Sequence, residues 1–215
     1  MGGSPGRNDN VIPKNAVVIN EILAHSSGGP DWIELYNQSF VPVNIGGWFL
    51  SDDGDTDADL MKFEIPADTW IPGDGYVVFY QNEDFEFGIS ENGETVYLSS
   101  GQNGQLGGYR NSESFGPSQA NVAKGRYFKA STGTFNFVDM SENTPGQPNA
   151  YPKVGPIVID EIMYNPPDPE PGSAFTDNEE FECIRLLNVA DHTVTLQEYD
   201  NEQGGICPLE IHRWY

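Results

Sequence analysis

VVINEIL at residues 17–23 has a counterpart near the other end of the chain, IVIDEIM at 157–163. Each carries an amide or acid followed by Glu inside an otherwise apolar, strand-like run. In strict alternation Val17, Ile19 and Leu23 share one side and Val18 and Ile22 the other. Both faces are apolar, which predicts an interior strand. The match continues downstream. IELYNQSFVPVNI (33–45) aligns with IRLLNVADHTVTL (184–196), with Ile33/Ile184, Leu35/Leu186, Asn37/Asn188, Val43/Val194 and Ile45/Leu196 in register. Apolar positions are kept and polar ones altered, as in a duplicated folding module. The second copy has a longer loop after its first strand, YNPPDPEPGSAFTDNEE. Because only residues 157–215 remain for it, the expectation is a partial second module with an unpaired sheet edge.

Between the copies, short alternating segments dominate: DWIELYN (31–37), VPVNIGGWFLSD (41–52), LMKFEIP (60–66), GYVVFYQ (75–81), ETVYLSS (94–100), GRYFKA (125–130) and TFNFVDM (134–140). Turn-forming pairs such as Pro72-Gly73, Asp74-Gly75 and Asn92-Gly93 separate them. Strands at this spacing without helical intervals predict an all-β antiparallel sandwich, and 24 Gly with 16 Pro suit that reading. GQNGQLGG (101–108) lacks the Gly-Lys-Ser/Thr ending of a phosphate loop and reads as a flexible connection. The expected organisation is a leader over 1–15, a sandwich over 16–149, a Pro/Gly linker over 150–156 and the partial repeat over 157–215.

With 10 Lys+Arg against 33 Asp+Glu, the formal charge is −23. Such a surface repels nucleic acid, whose binding rests on cationic side chains displacing counterions, and it repels anionic membranes. No stretch approaches the ~20 apolar residues of a membrane span. The opening MGGSPGRNDN has no apolar core and does not read as a signal peptide. Cys183 and Cys207 are too few for a disulfide scaffold and lack metal-ligand spacing.

Several further features resemble the lamin-tail domain, an immunoglobulin-like sandwich of nuclear lamins and many bacterial exported proteins. They are Asn20-Glu21, Ile33-Glu34-Leu35-Tyr36-Asn37, Gly46-Gly47-Trp48, Ile71-Pro72-Gly73 before YVVFY, the Gly125-Arg126-Tyr127 strand and the closing Thr144-Pro145-Gly146 with Asn149. The likeness spans about residues 16–149 and restarts at 157. In the second copy Asp160 replaces Asn20, Arg185 replaces Glu34, and no Gly-Gly-Trp follows TVTL; EYDNEQGGICPLEIHRWY matches nothing in the pattern. The resemblance implies interaction rather than catalysis, an extracellular or cell-surface location, and other domains of the same parent polypeptide as neighbours. The basic DNA-binding surface of lamins does not carry over to Glu34-Leu35-Tyr36.

Four groups of residues are candidates for chemistry. Glu21 and Glu34 could meet across adjacent strands as an acid–base pair; capping of backbone amides, or pairing with Lys124 or Arg126, is the structural alternative. Asp53, Asp55, Asp57, Asp59 and Glu64 occupy alternate positions of a calcium loop, with Leu60 at its apolar eighth place. Ala58 replaces its turn glycine, and a solvated acidic hairpin tip is the alternative; calcium is the only cofactor the sequence suggests. His25, Ser26, Ser27 and Asp31 contain the letters of a hydrolase triad but sit in one short turn, where triad geometry is hard to build; His192 and His212 share no ligand spacing. Trp32, Trp48 and Trp70 are expected to pack in or near the core, with Trp70 partly exposed. The core set expected is Val17, Ile19, Leu35, Trp48, Val77 and Phe79. The leading expectation is a non-enzymatic module of a larger exported protein, binding a protein or polysaccharide partner. A calcium-dependent adhesion or carbohydrate-binding module comes second, and a hydrolase third.

Overall fold

The computed structural model describes residues 16–169, 171–172, 178, 182–199 and 206–211. The expected leader, His212 and the Cys207 side chain lie outside the described set. The chain divides into two units at Lys153/Val154. Unit 1 holds eleven strands: β1 (Val17–Leu23), β2 (Trp32–Asn37), β3 (Val43–Asn44), β4 (Phe49–Ser51), β5 (Phe63–Glu64), β6 (Trp70–Ile71), β7 (Gly75–Tyr80), β8 (Glu94–Gln102), β9 (Gln105–Phe115), β10 (Lys124–Lys129) and β11 (Thr134–Asp139). Unit 2 holds β12 (Ile157–Met163), β13 (Cys183–Asn188), β14 (Val194–Tyr199) and β15 (Ile206–Ile211).

In unit 1 two antiparallel sheets, ordered β11-β10-β1-β2-β7 and β5-β4-β8-β9, form the sandwich, with a β3-β6 ribbon beside them. The all-β immunoglobulin-like architecture agrees with the sequence. Val17, Ile19, Ile33 and Leu35 of the first sheet pack with Leu50, Val96 and Leu98 of the second in one buried cluster. Trp48, 7 % exposed, belongs to it, as does Phe79, and Val77 packs against it. Trp32 joins Leu23 and Ala123 in a second cluster, while Trp70 is 57 % exposed.

A β-bulge corrects the alternation expected in β1. Register slips between Ile19 and Glu21, leaving Asn20 as the extra residue. Past the bulge every side chain changes face. Ile22 therefore joins Val17 and Ile19 in the main cluster, and Leu23 goes to the second one. The same slip puts Glu21 directly opposite Glu34.

Residues 101–108 also depart from the expected flexible connection. They turn from β8 into β9 through Asn103 and Gly104, whose φ of 54° and 70° are both positive, as a type I′ hairpin requires. The signal was the Asn-Gly pair; the polar, glycine-rich run that follows it hid an 11-residue strand.

In unit 2, β12 and β13 pair with a matching slip between Ile159 and Glu161, placing Glu161 opposite Arg185. Asn188 accepts from Ala190 N at 2.9 Å and donates to His192 O at 2.8 Å. Asn37 does the same in unit 1, accepting from Ser39 N and donating to Val41 O. Burial differs sharply: Ile159, Ile162 and Ile184 are about 60 % exposed, against 0–1 % at Ile19, Ile22 and Ile33.

Candidate functional site

Glu21 and Glu34 come together, fully buried, and both hold one segment of chain. Thr144 N and Oγ1 donate to the Glu21 carboxylate at 3.1 and 2.8 Å. Gly146 N donates to Glu34 Oε2. Asn20 Nδ2 donates to Glu34 Oε1 at 2.7 Å and to Asn149 Oδ1 at 2.6 Å, and Asn149 Nδ2 returns bonds to Asn20 O and Arg126 O. The pair thus staples residues 144–149 as a strap across β1 and β2. Burial pushes the Glu34 pKa up to about 7, against the lowering effect of its donors Gly146 and Asn20; burial raises Glu21 as well. Carboxylate oxygens committed to the strap have no open face toward a substrate. The proposed ion-pair partners go elsewhere: Lys124 Nζ bonds Asp139 at 2.6 Å, and Arg126 is nearest Glu113.

The linker expected over 150–156 is partly docked. Met140 and Pro152 form a bridge, Ser141 N donates to Tyr151 O, and Lys153 N donates to Asp139 O.

The acidic segment does not converge. Asp53 Oδ1 accepts from Asp55 N, Asp59 Oδ2 from Thr56 N, and Lys62 bonds Asp52 at 2.7 Å. Asp59 opens a 3-10 turn, Asp59–Met61, that buries Leu60. Glu64 is exposed on β5. Among the described residues no three His, Cys, Asp or Glu side chains gather as metal ligands. Nor does the polar turn assemble a triad: His25 faces Glu91 Oε2 and Ser118 O, each at 3.2 Å, while Asp31 accepts from Ser26 N.

A cleft that sequence reasoning missed lies where the first sheet splits. β1 and β10 pair only at Glu21–Gly125 and Ile22–Lys124. Toward the start of β1, side chains of β9 take over: Asn111 Oδ1 accepts from Ile19 N at 2.8 Å, and Tyr109 OH donates to Val17 O at 2.6 Å. The β10–β11 hairpin is then free of β1 beyond Arg126. The resulting cleft is about 330 Å³ and is lined chiefly by Tyr36, Tyr76, Arg126, Phe128, Phe135 and Tyr151. Tyr36 and Tyr76 stack at 4.8 Å between centroids. The Arg126 guanidinium lies 4.0 Å over the Phe135 ring. Its Nε is buried without a hydrogen-bond partner, and Glu113 Oε1 is 4.0 Å away. Burial lowers the Arg126 pKa, with Glu113 opposing. The lining comes from six separated segments, so local sequence patterns carried no signal for it.

A family model described as Lamin Tail Domain matches residues 10–131. No curated protein and no solved structure gives a significant match.

Proposed function

The chain belongs to the lamin tail domain family, and on that premise we propose a non-enzymatic interaction module within a larger exported or cell-surface protein. The family's immunoglobulin-like domain is compatible with a structural or protein-binding role. The recognition surface in this reading is the aromatic cleft of unit 1. One observation carries it: an open cleft lined by Tyr and Phe rings around a buried Arg, aromatic rings and Arg being enriched at protein interfaces and Tyr and Arg among their energetic hot spots. The carboxylate pair supports the non-enzymatic part, because its oxygens serve the strap. The charge of −23 supports a partner other than nucleic acid.

Residues 157–199 would be the opening of a second lamin-tail module. Support comes from the common bulge position and from the Asn37/Asn188 turn bonds.

The reading is tested by placing a photo-crosslinking amino acid at Tyr151, 79 % exposed on the cleft rim, in the native source. A defined protein adduct that disappears on Phe128→Ser supports it. An adduct pattern indifferent to Phe128→Ser and to Tyr76→Ala overturns it.

A further inference from the structure

Arg126 carries five guanidinium N–H donors, and its Nε is buried with no hydrogen-bond partner among the described residues. Its side chain is only 12 % exposed, and its closest carboxylate stands 4.0 Å off. This happens in a chain with 33 acidic residues. Leaving a buried donor without an acceptor is costly, and the planar guanidinium fork matches the paired oxygens of a carboxylate or a phosphate. In the −23 field the singly charged carboxylate is the less disfavoured of the two.

The remaining lining restricts what can carry that carboxylate. Asn20 Nδ2 is committed to Glu34 and Asn149, Asn149 Nδ2 to two backbone carbonyls, and Tyr36 OH to Asp74. What is left is mostly ring surface: Tyr76, Tyr127, Phe128 and Phe135, with Phe128 and Phe135 at 5.3 Å between centroids. A sugar would need acceptors and donors for several hydroxyls as well as ring contacts, whereas an apolar side chain is satisfied by the Phe128 and Phe135 rings alone. Guanidinium and rings line one open cleft of about 330 Å³, and a terminal residue reaches both at once because its carboxylate and side chain branch from one Cα. A run of acids is disfavoured by the −23 field, whereas one terminal carboxylate is not.

We propose that the cleft captures the carboxyl-terminal residue of a partner protein, its carboxylate on Arg126 and an aromatic or large aliphatic side chain against Phe128, Phe135 and Tyr76. The assignment rests on reading the cleft as the recognition surface.

The test is a titration of the isotope-labelled full chain, followed at the Arg126 Nε–Hε signal, with N-acetyl-Gly-Phe as free acid, the same peptide as C-terminal amide, and glucuronate. The free acid is expected to shift that signal saturably and to bind at least about tenfold tighter than the amide, the worth of one charge-assisted bond. Arg126→Gln should erase the acid–amide difference, and Phe128→Ser, at a half-exposed rim position, should weaken the acid without erasing it. Equal binding of acid and amide, equal binding of glucuronate, or no saturable shift with any probe overturns the proposal. A Phe128-dependent crosslink in the native source alongside any of those results would leave the cleft as the recognition surface and remove only the carboxylate chemistry.

Discussion

Glu21 faces Glu34 across β1 and β2 because Asn20 is bulged out, and each acid grips a different residue of one strap, Thr144 and Gly146. Without the bulge, Glu21 would take the opposite face. Truncating either acid leaves buried N–H groups without acceptors. Glu34→Ala is expected to cost about 2–3 kcal/mol, measured as a lowered urea midpoint, with faster hydrogen exchange at the Gly146 amide.

The same pair sets a pH dependence. Glu34 titrates near 7 in the folded protein against 4.5 as reference. Between those values the folded protein keeps a proton that the unfolded chain has released, so stability falls as pH rises through the window. The loss by neutral pH is at most about 3 kcal/mol from this group. Glu21, Glu94 and Glu113 are also raised by burial and act in the same direction. Denaturation should show unit 1 more stable at pH 5 than at pH 8. Glu34→Gln, which keeps one acceptor oxygen and loses the charge, should flatten that slope; an unchanged slope would assign it to the other acids.

Gly125 lies under the strap. A Cβ there would meet Met140 Cε at 2.7 Å and Asn149 Nδ2 at 2.9 Å, whereas one at Gly108 would meet nothing within 4 Å. Gly125→Ala is expected to destabilise by about 1–3 kcal/mol through overpacking. Gly108→Ala should be close to neutral. Thermal melts of the two variants side by side give the comparison.

Positions aligned between segments 33–45 and 184–196 should respond differently. Ile33 is fully buried and Ile184 is 63 % exposed. Ile33→Ala is expected to cost about 2–5 kcal/mol, and Ile184→Ala to move the same urea transition very little. Hydrogen exchange should be slower in β1 and β2 than in β12 and β13, because the latter pair has less apolar burial behind its ladder.

Sequence by itself determined the β architecture and most strand positions, β9 excepted, because alternation, turn pairs and β-rich composition are local and act within a few residues. Core anchors such as Ile19, Leu35 and Trp48 were legible for the same reason. The bulge at Asn20 was not: a one-residue register slip leaves the apolar pattern intact and is fixed only by what β1 must pair with and cover. Capping of backbone amides by Glu21 and Glu34 was legible as an alternative, but not which amides, because Thr144 and Gly146 lie more than a hundred residues away. The alternate aspartates of 53–59 show the converse, since ligand spacing gathers carboxylates only if the backbone curls around one point, and here it closes on local turn bonds instead. Tertiary structure alone decided the cleft. Its rings and its guanidinium meet where β10 leaves β1, and that separation goes with Asn111 and Tyr109 of β9 taking the backbone groups of Ile19 and Val17, residues some ninety positions along the chain from β1.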